Sequence, residues 1–216
     1  MSRANVRHGR RRIKQQGNLT MTVIVDGTGT GNQGKIDLNN RLHTKAITDT
    51  EGSDANVTGR AYNINTGEIT LTSANESAVL YFKNNELKDY VVTAIAVGLG
   101  PSTGGAAADI PIVRVTRNPT GGTIIDDATT VDIISNRNYG SSLTLTADTY
   151  KGGEGKTLTG DTDHIIFYQG ENGRLFAGID TVLPKGTSMG ITITPATSNT
   201  SMTCYAALIG YLRGEE

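Results

Sequence analysis

The chain has 216 residues, enough for one sizeable domain, and its 20 basic and 21 acidic residues leave a formal net charge of −1. A single cysteine, Cys204, excludes an internal disulfide framework and a cysteine-built zinc site, and it is compatible with folding in a reducing cytoplasm. No apolar run approaches the ~20 residues that a membrane-spanning helix needs, so a membrane partner is not expected.

The near-zero charge hides a division. Six of the 20 Lys and Arg residues fall within the first 17 positions (Arg3, Arg7, Arg10, Arg11, Arg12 and Lys14), and no acidic residue precedes Asp26. The remainder carries 14 basic against 21 acidic residues, a net charge near −7, which disfavours binding a polyanion across its surface. Residues 1–18 therefore read as a basic N-terminal arm, and 19–216 as the folded domain. The arm has no apolar stretch after its charges, unlike a secretory signal. A mitochondrial presequence needs an amphipathic face, for which the arm offers only Val6 and Ile13.

Beyond the arm, 31 Thr and 25 Gly residues set the character of the chain. Threonine is β-branched and fits a pleated surface, while glycine supplies turns. Period-two alternation predicts strands at 19–25, 41–48, 68–72, 78–84, 91–98, 111–117, 130–135, 143–147, 164–169, 174–179, 190–194 and 202–212. In "EITLT" (68–72), Ile69 and Leu71 face one way and Thr70 and Thr72 the other, as in a strand with one wet face. Ser73 and Glu76 have the spacing of a capping box. Val79, Tyr81 and Phe82 follow, so a turn into a strand is expected there instead of a helix. Residues 98–109, 117–129 and 148–163 read as long loops, beyond the ~4–6-residue median, and so as contact surfaces. Many strands, long connections and no convincing helix predict an all-β antiparallel sandwich of jelly-roll type. The absence of Trp and of a cysteine pair argues against an immunoglobulin-like sandwich.

Two stretches approach a phosphate-binding loop without meeting its chemistry. In "GTGNQGKI" (29–36), the residue after Lys35 is Ile36, which cannot ligate magnesium. In "GGEGKT" (152–157), Tyr150 stands where the spacing requires glycine. Catalytic groups are sparse: His43 and His164 lie in strand-like runs, and Cys204 alternates into an expected core with no electropositive neighbour. Asp161, Asp163 and His164 form at most half a metal site. Asp126 and Asp127 lack an identifiable general-acid partner. No enzyme is expected and no cofactor or metal is assigned. The few aromatics are not interleaved with basic residues, as a single-strand stacking platform requires.

Four phrases, "YNINTGEITLTSANESAVLYFKNNE" (62–86), "RNPTGGT" (117–123), "NRNYGSSLTLTADTYKG" (136–152) and "LPKGTSMGITITPATSNTSM" (183–202), resemble virion structural proteins of tailed bacteriophages. The resemblance covers roughly residues 55–213. It implies a jelly roll without catalytic residues, of a kind that commonly trimerises and sits on the head as cement or decoration, or on tail fibres. The expected partner is a major capsid protein, with nucleic acid disfavoured, and the expected location is the head surface of a virion made in the bacterial cytoplasm. The arm, through Arg3, Arg7, Arg10, Arg11, Arg12 and Lys14, is expected to anchor the protein on acidic ground between shell subunits. The loop Asn136, Arg137, Asn138, Tyr139 is a candidate contact surface. A tail-fibre or receptor-binding protein is the alternative reading. A shell-building jelly roll whose Arg arm binds the genome is the third.

Overall fold

The computed structural model describes residues 50–104, 110–170, 173–197 and 199–214, together with the backbone of 24–25, 33–36 and 42–43. Two compact units divide the chain, Met1–Thr48 and Asp49–Glu216. In the first, β1 (Ile24–Val25), β2 (Gln33–Ile36) and β3 (Leu42–His43) pair in order as an antiparallel sheet. Lys35 thus lies in a strand that pairs with His43, where a phosphate loop would have its lysine opening a helix.

The second unit opens with α1 (Glu51–Val57), a helix not expected from periodicity. Thr50 caps it by accepting a hydrogen bond from Ser53 N at 3.2 Å, and Glu51 and Asp54 supply negative charge in the first turn. Arg60, just beyond its end, reaches back to Asp54 at 2.5 Å. The strands follow in chain order: β4 (Ala61–Asn65), β5 (Ile69–Leu71), β6 (Ser77–Asn84), β7 (Tyr90–Thr103) and β8 (Ile112–Arg117). Then come α2 (Thr123–Asp126), β9 (Thr129–Thr130), β10 (Ile133–Asn136) and β11 (Ala147–Lys151). The unit closes with β12 (Thr162–Tyr168), β13 (Arg174–Leu183), β14 (Ser188–Thr194) and β15 (Ser201–Leu212).

These strands build two antiparallel sheets. One has the order β10-β4-β15-β7-β13, with β5 also paired to β15, and the other has β12-β8-β14-β6-β11-β9. Successive long strands β4, β6, β7, β8 alternate between the sheets, and so do β12, β13, β14, β15. Among long strands consecutive in the chain, only β8 and β12 pair with each other. That alternation is the doubled Greek key of a jelly roll, the architecture expected from the sequence.

The core lies between the sheets, where alternate side chains from each meet. Ile64, Leu71, Val92, Ile95, Val97 and Leu208 come from one side, and Leu80, Phe82, Val113, Val115, Ile191 and Ile193 from the other, all without solvent exposure. Each such side chain contributes about 1.5–3 kcal/mol through burial. Phe82 and Tyr90 meet across the sheets with ring centroids 4.8 Å apart. The segment between β8 and β12 adds a smaller core on the far side of the second sheet. There Ile124 of α2, with Leu158, covers Ala78 and Tyr81, and Tyr150 stacks on Tyr81 at 5.6 Å.

Several expected elements lie elsewhere. The single strand expected over 130–135 is two short strands in different sheets: β9 pairs with β11, β10 pairs with β4, and buried Val131 marks the crossing. Residues 143–146 form no strand despite their alternation. Pairing with β6 begins only at Ala147, so β11 occupies 147–151, part of which reads as loop in the sequence. Conversely β7 runs on to Thr103 through Gly100 and Pro101, because β15 offers it an edge. Pro101, which cannot donate to a ladder, sits within an irregularity of that pairing opposite Thr203, where a proline is tolerated. The loop expected at 117–129 contains α2. The Ser73–Glu76 stretch is a turn leading into β6, as expected.

Candidate functional site

The outer faces of the two sheets are treated differently. On the second, α2 and Leu158 cover β6 and β11 while Ile166 and Tyr168 of β12 stay exposed; the first has no such cover among the described residues. Along β13, Leu175, Ala177 and Ile179 pack on the core, which turns Arg174, Phe176 and Gly178 outward. Phe176 is 69% exposed there. On β15 the inward residues are Met202, Cys204, Ala206 and Leu208, so Thr203 and Tyr205 share the outer face, and Ile133 of β10 joins them, 50% exposed. A depression of about 540 Å³ on this face is bounded by Asn65, Gly98, Ile133, Arg174, Thr203 and Tyr205. Period-two alternation was legible here, but not which face another element would cover, since the cover comes from distant Ile124 and Leu158.

The loop of Asn136, Arg137, Asn138 and Tyr139 divides into fasteners and an exposed tip. Asn136 Nδ2 donates to Gly59 O at 2.7 Å and to Leu143 O at 3.1 Å, while its Oδ1 accepts from Asn138 N at 2.9 Å. Asn138 Nδ2 donates to Val57 O at 2.7 Å, and its Oδ1 accepts from Gly140 N at 3.0 Å. Both asparagines hold the loop against the end of α1. Arg137 is exposed, and Tyr139 is 99% exposed. The anchoring candidates Arg3, Arg7, Arg10, Arg11, Arg12 and Lys14 lie outside the described residues.

The chemical candidates disperse. Cys204 is buried to 3% exposure, and desolvation pushes its thiol up to about 12, so it stays protonated and unreactive at neutral pH. His164 Nε2 lies 3.2 Å from Thr181 Oγ1, linking the two sheets at their edge. Asp163 pairs with Arg114 at 3.3 Å. Asp127 pairs with Lys156 at 3.2 Å, and Lys156 Nζ also donates to Thr123 O at 3.2 Å, so this lysine ties α2 to the following loop. Among the described residues, no group of three or more His, Cys, Asp or Glu side chains is placed to hold a metal ion. Tyr90, fully enclosed, has its hydroxyl pKa raised by desolvation, and that hydroxyl has no hydrogen-bond partner.

No family model matches the chain. No curated protein matches it either. Among solved structures, the infectious bursal virus derived T=1 particle is similar to it at a TM-score of 0.17 and 9% identity. That comparison covers 72% of this chain and 40% of the viral one, so the chain spans about two fifths of the viral protein's length. At that level the likeness carries no argument about fold or function.

Proposed function

We propose that this chain is a virion structural protein that binds the outer shell of a tailed-phage head as a cement or decoration protein, with its basic N-terminal arm as anchor. The observation that carries this reading is the open outer face of the first sheet. Phe176, Ile133 and Tyr205 share a surface that nothing else in the described chain covers, whereas α2 and Leu158 cover the β6 and β11 part of the opposite sheet and leave its β12 edge bare. A protein whose work is to lie against other proteins needs such a face, and exposed apolar side chains clustered on one side mark contact surfaces. The resemblance of residues 55–213 to phage virion proteins supports the same reading. Copies placed around a three-fold axis would use heterologous contacts that close into a ring. Six cations on the arm would dock on the acidic ground of a shell.

The test uses purified heads lacking this protein. Full-length chain and a chain lacking residues 1–17 are added, and occupancy is read by gel densitometry. Full-length protein decorates the heads and the truncated protein washes off. Equal occupancy by the two removes the anchor.

A tail location has one observation in its favour, the 99% exposure of Tyr139 at the tip of a pinned loop, a fit for a receptor-binding protein. Immunogold labelling of tails instead of heads decides for it.

A further inference from the structure

On the outer side of the second sheet, a cleft of about 270 Å³ lies beside the cover formed by Leu158, lined by residues from β6, β8, β14 and the loop before β12. Arg114 stands in it between two carboxylates, Asp163 at 3.3 Å and Glu76 at 3.8 Å. Glu76 also accepts a hydrogen bond from Thr192 Oγ1 at 2.5 Å. Asp161, half-buried in the same wall, has neither a salt bridge nor a hydrogen bond. At the floor, Thr116 is 2% exposed and its Oγ1 has no partner. Arg114 Nε is likewise buried without a hydrogen bond, since 3.8 Å to Glu76 exceeds hydrogen-bonding reach.

Buried donors and acceptors left unmatched are costly, and such groups normally have partners. Here two of them, with an unpaired carboxylate, converge on one cleft. The charges decide what fits. An anion would meet Glu76, Asp161 and Asp163, and a cation would meet Arg114 and Lys156. A neutral, hydroxylated ligand satisfies both signs, because each hydroxyl donates one bond and accepts others. It can donate to Asp161 and Glu76 while accepting from Arg114 Nε and Thr116 Oγ1. Ala78 and Leu158 supply an apolar patch for the C–H face of such a ring. Leu158 and Thr116 Oγ1 both lie against Gly190 of β14, so a ligand reaching that oxygen turns the neighbouring leucine side chain aside.

We propose that the cleft between Arg114, Thr116 and Asp161 is a binding site for a single neutral sugar ring. This goes beyond the virion reading and does not depend on it, because the test uses the isolated protein and free sugars. The full chain is titrated with glucose, galactose, mannose and N-acetylglucosamine, and amide shifts are followed by heteronuclear NMR. At least one sugar gives saturable shifts at Arg114, Thr116, Asp161 and Gly190, with a Kd of about 1 mM. Thr116→Val preserves shape and removes a hydroxyl that bonds to nothing in the protein. It therefore leaves thermal stability unchanged or raised while weakening the sugar about tenfold. Asp161→Asn, at a carboxylate with no partner, weakens it similarly. The proposal is overturned if none of the sugars gives saturable shifts, if Thr116→Val binds as the parent does, or if glycerol gives the same shifts as the best sugar.

Discussion

The ring of Tyr205 lies across Gly98 of the neighbouring strand, so close that a Cβ built on the glycine would stand 2.0 Å from Cε1. Tyr205 and Gly98 are directly paired in the β15–β7 ladder. The glycine is therefore a seat for the aromatic ring on the open face of the first sheet.

Gly98→Ala should push that ring off its seat and destabilise the protein by about 1–3 kcal/mol, the usual scale of overpacking. Removing the ring as well removes the clash. The double variant Gly98→Ala/Tyr205→Ala should thus be more stable than additivity of the two single changes allows. Urea denaturation of the four proteins in the cycle measures it, and strict additivity would count against the seat.

Gly152→Ala should cost more than Gly98→Ala. A Cβ at Gly152 would stand 1.7 Å from the carbonyl oxygen of Ala78, which is backbone and cannot swing away as a ring can. Comparison of the two midpoints under identical conditions tests the order.

The Tyr90 hydroxyl is enclosed and unpartnered, so Tyr90→Phe removes an unsatisfied polar atom while keeping the ring against Phe82. Stability should hold or rise by about 1 kcal/mol. A loss beyond that scale would show that the hydroxyl has a partner in solution.

Burial raises the Cys204 thiol from its ordinary 9.0 to about 12. The unfolded chain therefore releases this proton at lower pH than the folded one. The stabilising contribution is complete below about pH 9 and is lost as pH rises through the folded value near 12. The slope approaches about 1.4 kcal/mol per pH unit inside that window. Tyr90, also raised by desolvation, acts in the same direction at higher pH. Cys204→Ala should flatten the alkaline fall in stability relative to the parent. Native protein should resist thiol alkylation until denaturant is added.

Tyr139→Ser and Asn136→Ala should behave oppositely despite lying three residues apart. Tyr139 is 99% exposed, so its loss should shift Tm by no more than about a degree. Asn136 Nδ2 holds two carbonyls, and its truncation leaves them without their donor, at about 1–3 kcal/mol. If the loop meets a partner, Tyr139→Ser lowers occupancy on the particle without touching stability.

The jelly roll was legible in outline because a half-buried strand must repeat every two residues. "EITLT" became β5 at Ile69–Leu71 and "GITIT" lies within β14, with Ile191 and Ile193 inward. The same period misled at 143–146, where Thr146 N bonds to Glu86 Oε1 and no ladder forms. Loop-like composition misled at Gly100–Thr103, where β15 supplied a partner edge. For the candidate contact loop, composition marked Asn136–Tyr139 as a place to look. It could not separate Asn136 and Asn138, which hold carbonyls of α1 and its surroundings, from exposed Tyr139. The cleft around Arg114 was not legible: Glu76, Arg114, Asp161, Asp163 and Thr192 are scattered along the chain and meet only through the pairing of β6, β14, β8 and β12.

Alternation and β-branched composition are local properties, and they sufficed for fold class, strand faces and the inward aim of Cys204. Strand partners are not local. Whether a segment pairs depends on an edge offered from far along the chain, as β15 does for β7. Whether a sheet face is bare or covered depends on where a distant side chain such as Ile124 comes to rest. Those long-range pairings are where the free energy of a sandwich is gained, and they placed the open face and the cleft.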